Sequence, residues 1–211
     1  MYAWLYDYAE KIVEREGFDS SHDMTHFVNV YNYAKKIVEH DYKDGTLIKN
    51  IGREDSIKIL LNAAFCHDLI DGKYVNSEEA IQELRNVFLD NGYDREYTEI
   101  IIYLIDNMSY SKRRKEGFQI KKEYESILNV LCDADMLDAY RIERVIAYQS
   151  RKSNDVERNL KWVKTILVKR ILRYKDHWLK TEYALSTSIP LHQQVEDYVN
   201  TNLQGIEMFD Y

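Results

Sequence analysis

Residues 57–70 of the chain read IKILLNAAFCHDLI, and this stretch indicates the fold more directly than any other. Its apolar residues recur three or four positions apart, as on one face of an α-helix: Ile57, Leu60, Leu61, Ala64 and Phe65. We therefore predict a core-facing helix here that ends near Gly72. Its last residues include His67 and Asp68, two side chains that a core does not normally accept.

Similar apolar periods run along most of the chain and are separated by short polar breaks. They predict further helices over about 2–16, 23–40, 76–91, 94–108, 122–150 and 156–185. Pro190 precedes a short last helix, and Asn76 (paired with Glu79) and Asp94 are expected to cap two of the others. With only 7 Gly and 1 Pro in 211 residues, the chain lacks the turn residues that β-sandwiches and barrels need. The predicted fold class is therefore all-α.

Chain length, net charge, cysteine content and apolar run length limit the partners and the cellular compartment that we expect. We find no linker-like segment, so residues 1–211 are interpreted as one compact domain with ample length for a core. A net charge of −7 argues against binding a nucleic-acid polymer. Two cysteines make no disulfide framework, and the longest apolar run, 100–105, is too short to span a bilayer. Because no signal peptide is recognisable either, we expect a cytoplasmic protein with no membrane partner.

Two aspartates fall on the apolar faces of predicted helices. Asp68 lies three residues after Phe65, and Asp135 lies four residues after a leucine. An unpaired carboxylate at such a position would cost on the order of several kcal/mol or would become protonated. We therefore expect a cation or a hydrogen-bond donor beside each. Asp133 and Asp138 make the region around Asp135 more acidic than a core-facing helix usually is.

Two histidines accompany these carboxylates. His67 adjoins Asp68, and His26 lies at the edge of the apolar face of the helix predicted over 23–40. Taken singly, an inward histidine is more often a satisfied core residue, and an inward aspartate is more often a cap or ion-pair partner. Imidazole and carboxylate groups together are the ligands of borderline and hard divalent metals. Their joint occurrence on three predicted helices favours a metal site.

Three motifs carry a resemblance to a known family. They are SHDMTH at 21–26, HDLID at 67–71 and DADMLDA at 133–139. In order, spacing and helical context they resemble the HD-domain metal-dependent phosphohydrolases, and more narrowly the small single-domain branch with S-H-D-x-x-H, H-D-x-x-D and D-A-D-x-L-D-A motifs. The resemblance covers about residues 1–150. Residues 151–211 match loosely and are interpreted as C-terminal helices that pack on the motif-bearing part.

The resemblance implies an all-helical fold in which His26, His67, Asp68 and Asp135 hold one divalent metal ion. The sequence leaves open whether this ion is Mn, Mg, Co, Ni, Fe or Zn. The resemblance further implies that a metal-activated water hydrolyses a phosphoester or phosphoanhydride bond, often in a nucleotide. Asp71 falls where relatives keep an acidic residue near the attacking water.

Two departures from the family pattern leave the substrate open. The branch commonly has Arg where this chain has Asn29, and the segment 140–143 (YRIE) stands where relatives carry a Gly-bearing stretch of small residues. None of the six histidines lies between Asp68 and Asp135. Relatives with two metals place extra His ligands in that interval, so this chain favours a mononuclear site.

Other candidate residues stay open at this level. His22 lies four residues before His26 and could share its metal, although a position at the boundary of a loop and a helix is favoured. The proximity of Asp133 to the metal is also left open. The dense basic run Lys112, Arg113, Arg114 and Lys115 is either a solvated loop or a clamp for substrate phosphate, and Lys73 is another candidate phosphate contact.

We therefore expect a metal-dependent phosphohydrolase that acts on a nucleotide or another small phosphorylated metabolite. The alternative is a non-catalytic nucleotide- or effector-binding domain that keeps the metal for structure. A structural zinc site would be closed, tetrahedral and usually rich in thiolates, whereas two His and two Asp suit an ion with exchangeable waters. A metal-free helical interaction module would leave Asp68 and Asp135 unexplained. The sequence does not identify the substrate or the oligomeric state.

Overall fold

The helices follow one another with short connections in a computed structural model that describes residues 2–43, 45, 47–113 and 119–210. In chain order they are α1 (Ala3–Glu16), α2 (Met24–Asp41), α3 (Arg53–Cys66), α4 (Ser77–Asp90), α5 (Arg95–Asn107), α6 (Tyr110–Arg113), α7 (Glu125–Asp138), α8 (Ile142–Lys152), α9 (Val156–Lys169), α10 (Tyr174–His177) and α11 (Glu182–Asn202). Two short 3₁₀ helices, Lys122–Tyr124 and Ile171–Arg173, precede α7 and α10. The described residues contain no β-strand, and the predicted all-α class is confirmed.

Local sequence signals explain where several helices begin and end. The Asp23 side chain caps α2 by accepting a hydrogen bond from the backbone N–H of His26 at 3.1 Å. Asn76 and Asp94 cap α4 and α5 in the same way, as predicted. Gly17 ends α1 in the left-handed conformation, with φ of 63°, which glycine adopts without strain. The cap at Asp23 thus fixes the first turn of α2, the turn that carries His26.

The core is centred on α2, which packs against α3 on one side and α7 on the other. Phe27 and Val30 of α2, Ala64 of α3 and Leu128 and Leu131 of α7 have no solvent exposure. Burial of each larger side chain in this set contributes about 1.5–3 kcal/mol of transfer free energy. The three helices that carry the sequence motifs are therefore the three that the core holds together.

Two of the predicted helices, over 57–70 and 122–150, end or divide earlier than expected. The helix predicted over 57–70 ends at Cys66, and the following residues form turns in which the N–H of Leu69 donates to Cys66 O and that of Asp71 to Asp68 O. His67, Asp68 and Asp71 therefore all lie beyond the end of α3, and the expectation that one helix carries the three side chains was wrong. The stretch 122–150 is divided into α7 and α8 by a turn at 139–141, where no Gly or Pro marks a break. Long-range contacts of Asp138, described below, hold this turn.

The C-terminal prediction also needed correction. The stretch 156–185 contains α9, a 3₁₀ turn and α10, and a new helix, α11, begins at Glu182. Pro190 lies inside α11 instead of preceding a short last helix. A proline in a helix removes one backbone hydrogen bond and crowds the preceding turn. The 21-residue length of α11 and the burial of Ala184, Ser188 and Val195 against the rest of the fold offset that loss.

Candidate metal centre

The four predicted ligands come together from three segments of the core. His26 lies in the first turn of α2, His67 and Asp68 directly follow α3, and Asp135 lies in the last turn of α7. The Nε2 atoms of His26 and His67 are 2.8 Å apart, and Asp68 Oδ2 is 3.2 Å from each of them. Asp135 Oδ1 is 3.6 Å from His26 Nε2 and 3.8 Å from His67 Nε2. One ligand atom each of His26, His67 and Asp135 lies within 4.8 Å of the others.

The hydrogen bonds of the two imidazoles determine which nitrogen faces the site. His67 Nδ1–H donates to the backbone oxygen of Ala64 at 2.9 Å, because a carbonyl oxygen can only accept. His26 Nδ1–H donates to Oδ2 of Asp138 at 2.7 Å. In the neutral form of each ring, Nε2 therefore carries a lone pair, and the two lone pairs point at each other. Such an arrangement requires a cation between them.

The donor set fits a divalent metal ion. Ligand atoms about 2.1 Å from an ion lie roughly 3.0–3.4 Å from one another in octahedral or tetrahedral arrangements. The distances within the cluster, 2.8–3.8 Å, are close to that range. Two imidazoles and two carboxylates fit borderline and hard divalent ions. Neither Cys66 nor Cys132 belongs to the group of described donor atoms around His26, His67 and Asp135, and burial raises the thiol pKa of both cysteines.

The pKa shifts of His67 and Asp68 also indicate that a positive charge is stabilised between the predicted ligands. Burial lowers the pKa of His67, but the adjacent Asp68 carboxylate outweighs it and raises that pKa to about 9. Burial likewise raises the pKa of Asp68, while His67 and His26 hold it well below its ordinary range. A proton or a metal cation can supply the positive charge between these groups, and the two therefore compete for the site.

Asp138 contacts the predicted ligand His26 at the ring nitrogen that does not face the metal cluster. Its carboxylate has no solvent exposure and accepts hydrogen bonds from His26 Nδ1 through Oδ2 and from Asn29 Nδ2, at 2.8 Å, through Oδ1. Burial raises the pKa of Asp138, but the hydrogen bond from His26 and the nearby charge of Arg144 outweigh burial. The pKa therefore lies below its ordinary value, and the carboxylate stays ionised. A carboxylate behind a ligating histidine fixes the ring's tautomer and orientation.

Sequence reasoning missed this role of Asp138, although one signal was available. Asp138 follows Asp135 by three residues, and residues at that spacing share one face of a helix. Sequence reasoning also missed Arg144, whose Nη1 donates to Asp138 Oδ2 at 3.0 Å. Asn29, which stands where the family pattern has Arg, contacts the Asp138 carboxylate through its side-chain amide. The guanidinium group of Arg144 contacts the same carboxylate.

His22 lies beside the four predicted ligands. Its Nε2 is 3.8 Å from Asp68 Oδ2, and its Nδ1 lies 2.9 Å from the Tyr74 hydroxyl. Since that hydroxyl donates to Asp19 Oδ2 at 2.6 Å, its oxygen accepts from His22 Nδ1–H, and Nε2 of the neutral ring carries its lone pair towards Asp68. Burial lowers the pKa of His22 against the opposing effect of Asp68.

Asp133 does not belong to this cluster. Its Oδ2 accepts hydrogen bonds from the backbone N–H groups of Lys180 and Thr181 and from the Thr181 hydroxyl, at 2.7–2.9 Å. These contacts join α7 to the residues that begin α11. Burial raises the pKa of Asp133. Asp133 therefore has a structural role.

A cavity of about 500 Å³ opens beside the metal cluster, and His67, Asp68 and Asp135 form part of its wall. Apolar residues of α5, α8 and α9 line it as well: Ile105, Val145 and Ile166. Ligand sites in proteins commonly have this size and this mixture of apolar walls with a few polar groups. The cavity thus provides space for a small ligand in contact with the predicted metal ligands.

The structure separates the predicted phosphate contacts. Lys73 and Lys112 line the cavity. Each is paired with an aspartate: Lys73 Nζ is 2.9 Å from Asp71 Oδ2, and Lys112 Nζ contacts the carboxylate of Asp106 and, at 2.8 Å, its backbone oxygen. Arg113 is not part of the wall of this cavity. Its charge lies near Cys132 and Asp133, where it partly opposes the burial that raises the pKa of both groups. Arg114 and Lys115 lie outside the described residues.

Asp71, the predicted catalytic residue, also lines the cavity. Its Oδ1 accepts a hydrogen bond from the backbone N–H of Lys73 at 3.0 Å, and its Oδ2 pairs with the Lys73 ammonium group. The side chain keeps 24% solvent exposure. Asp71 thus lies in a wall that it shares with His67, Asp68 and Asp135, and its carboxylate is accessible from the cavity.

Among the described helices, none combines the length and the apolar character that crossing a bilayer requires. No protein-family model matches the chain, and no curated protein matches it.

Solved structures share its fold. YpgQ from Bacillus subtilis in complex with ADP is 22% identical, with a TM-score of 0.64 over 94% of this chain and 100% of that one. Selenomethionine-labelled YpgQ from Bacillus subtilis is 23% identical, with a TM-score of 0.67 over 96% of this chain and 100% of that one. A Lactobacillus plantarum protein is 18% identical, with a TM-score of 0.70 over 93% of this chain and 92% of that one. These proteins share the arrangement of helices over nearly the whole length of this chain.

Proposed function

We propose that the chain is a divalent-metal-dependent phosphohydrolase of the HD-domain type, which cleaves a phosphoester or phosphoanhydride bond of a nucleotide or a small phosphorylated metabolite. One observation carries the proposal. Two imidazole nitrogens and the carboxylates of Asp68 and Asp135 converge at the wall of a cavity of about 500 Å³. A catalytic metal site needs such protein ligands on one side and open positions facing substrate on the other.

The nucleotide as substrate class has separate support. A protein of similar fold, Bacillus subtilis YpgQ, forms a complex with ADP. In the part of the chain that the structure describes, four cationic residues line the cavity: Lys73, Lys112, Arg144 and Arg170. Fixed cations attract a phosphorylated ligand and stabilise charge that develops on its phosphoryl oxygens.

The residues of the chain take distinct roles in this proposal. His26, His67, Asp68 and Asp135 would hold the ion, and Asp138 keeps His26 in the tautomer that presents Nε2. When bound, a divalent ion supplies a Lewis acid that polarises a phosphoryl oxygen and acidifies water. Asp71 would accept a proton from the attacking water or orient it, and Lys73, its ion-pair partner, would balance phosphate charge.

A release assay tests the proposal. Purified protein is loaded with Mn²⁺, Mg²⁺, Co²⁺ or Zn²⁺ and offered nucleoside mono-, di- and triphosphates and phosphorylated metabolites, while free phosphate and pyrophosphate are measured. We expect metal-dependent release with at least one of these compounds, and loss of release in Asp135→Asn. Binding of metal and nucleotide without release under every condition would instead support a non-catalytic nucleotide-binding domain.

A further inference from the structure

We propose that Arg144 is the phosphate-binding residue of the site, held in a fixed orientation beside the metal ligands. This inference rests on the proposed function, because it assumes that a phosphorylated molecule occupies the cavity. Arg144 lies in the first turn of α8, lines the cavity and keeps 10% side-chain exposure. The sequence motifs did not identify it, and it replaces no predicted ligand.

Two hydrogen bonds fix the guanidinium group. Arg144 Nε donates to the backbone oxygen of Ser21 at 2.7 Å, and Nη1 donates to Asp138 Oδ2 at 3.0 Å. Both partners belong to segments that also carry metal ligands, since Ser21 leads into α2 and Asp138 ends α7. The orientation of Arg144 is therefore determined by the elements that position His26 and Asp135.

The guanidinium keeps donors for a ligand. It carries five N–H groups in one plane, and its contacts to Ser21 and Asp138 use two of them within the described part of the chain. Up to three donors, one on Nη1 and two on Nη2, remain for the phosphate oxygens of a ligand in the cavity that Arg144 lines. An arginine whose plane is already fixed loses little side-chain entropy when it binds a phosphate in a bidentate manner.

Among the described residues, the acidic side chains of the cavity wall have partners other than Arg144. The described part of this wall has four acidic side chains, Asp68, Asp71, Asp106 and Asp135, and four cationic ones. Lys73 and Lys112 are paired with Asp71 and Asp106. The other two acidic residues are predicted metal ligands. Asp138 also contacts a second arginine, Arg141, so its one negative charge faces two guanidinium groups.

Arg141 provides a matched control. Its Nη1 approaches Asp138 Oδ1 at 3.5 Å, and its Nε donates to Glu143 at 2.9 Å. Arg141 does not line the cavity. Loss of either arginine removes one positive charge from Asp138, but only the loss of Arg144 removes a donor from the cavity.

Binding measurements test the assignment without relying on catalysis. Wild type, Arg144→Gln, Arg144→Lys and Arg141→Gln are loaded with Mn²⁺, their metal content and circular dichroism are compared, and their affinities for ADP and adenosine are measured by titration calorimetry. We expect Arg144→Gln to weaken ADP binding about 10- to 100-fold, as loss of a charge-assisted hydrogen bond does. Arg144→Lys should weaken it less, and Arg141→Gln should stay within about threefold of wild type. Adenosine, which has no phosphate, should bind all four proteins equally.

The outcomes separate this inference from the proposed function. Unchanged ADP affinity in metal-loaded Arg144→Gln overturns the assignment, and so does an equal loss in Arg141→Gln. If Arg144→Gln does not fold, an ADP affinity of Arg144→Lys equal to that of wild type overturns it. A phosphate-specific loss at Arg144 in a protein that releases no product supports the assignment while refuting the hydrolase. A metal-loaded wild-type protein that does not bind ADP overturns the assignment, whereas the hydrolase is decided by the release assay.

Discussion

His26 Nε2 and His67 Nε2 lie 2.8 Å apart, each with its other ring nitrogen already donating a hydrogen bond. Two neutral imidazoles cannot hold this arrangement, because both present lone pairs. The contact therefore identifies a place where the fold requires a proton or a metal cation, and it links the ionisation of the site to its metal affinity.

The first prediction concerns metal stoichiometry. The purified chain should bind about one divalent ion, and His67→Ala or Asp68→Ala should abolish that binding because each removes an inner ligand. Elemental analysis after gel filtration measures the bound ion. His177→Ala, at an exposed position outside the cluster, serves as the control and should keep full occupancy. Two ions per wild-type chain would contradict the mononuclear site.

The second prediction concerns Asp138. Asp138→Asn keeps the shape of the side chain but weakens its hold on His26 Nδ1–H. Loss of such an outer partner typically lowers metal affinity about 10- to 100-fold. Competition with a chelator of known affinity measures the change. Asn29→Ala removes a contact to the other oxygen of the same carboxylate and should have a smaller effect. Equal metal affinities of Asp138→Asn and wild type would show that Asp138 does not support the ligand.

The third prediction concerns pH. In the metal-free chain the pKa of His67 is raised from its ordinary value of 6.5 to about 9. Because the folded-state pKa lies above the unfolded one, protonation of His67 stabilises the fold. This contribution is fully present below pH 6.5 and is lost as the pH rises through about 9. Thermal unfolding in chelator should therefore show Tm falling between pH 6.5 and 9.

A variant and a metal titration test whether His67 causes this pH dependence of Tm. His67→Asn should lose most of that pH dependence. In excess Mn²⁺ the wild-type Tm should instead rise with pH over the same range, since metal binding requires the neutral imidazole. A chelator-treated wild type whose Tm follows that of His67→Asn at every pH would refute the raised pKa.

The fourth prediction concerns Asp71. Asp71→Asn keeps an acceptor for the backbone N–H of Lys73 but removes the negative charge. If Asp71 orients or deprotonates the attacking water, kcat should fall by about 10²- to 10⁴-fold while metal content stays unchanged. Steady-state kinetics on a metal-saturated variant measure this. A kcat near that of wild type would remove Asp71 from the mechanism and leave the metal ligands unaffected.

The fifth prediction divides the basic run. Lys112 lines the cavity, whereas its neighbour Arg113 does not. Lys112→Ala should therefore raise KM for a polyphosphate substrate and reduce its salt dependence, and Arg113→Ala should leave KM unchanged. Steady-state kinetics at two salt concentrations give the KM values of both variants and of wild type. Equal KM values for Lys112→Ala and wild type would indicate that Lys112 is only a solvated residue paired with Asp106.

Much of this site could be predicted from the sequence because polar residues on apolar helix faces are conspicuous. His26, His67, Asp68 and Asp135 were found in that way, and the structure brings them together. Asp138 and Arg144 were not found, because their roles depend on contacts with residues 112 and 123 positions away along the chain, His26 and Ser21. Similarly, no local signal marks the turn at 139–141 that separates α7 from α8.

The contact between Arg144 and Ser21 closes a loop of 123 residues, and that between Asp138 and His26 closes one of 112. During synthesis, a growing chain that ends before Asp135 contains His26, His67 and Asp68 but lacks the fourth ligand and both supporting contacts. The complete site can therefore form only after the residues as far as Arg144 have left the ribosome. Translation products that end before Asp135 would accordingly lack the complete set of predicted metal ligands.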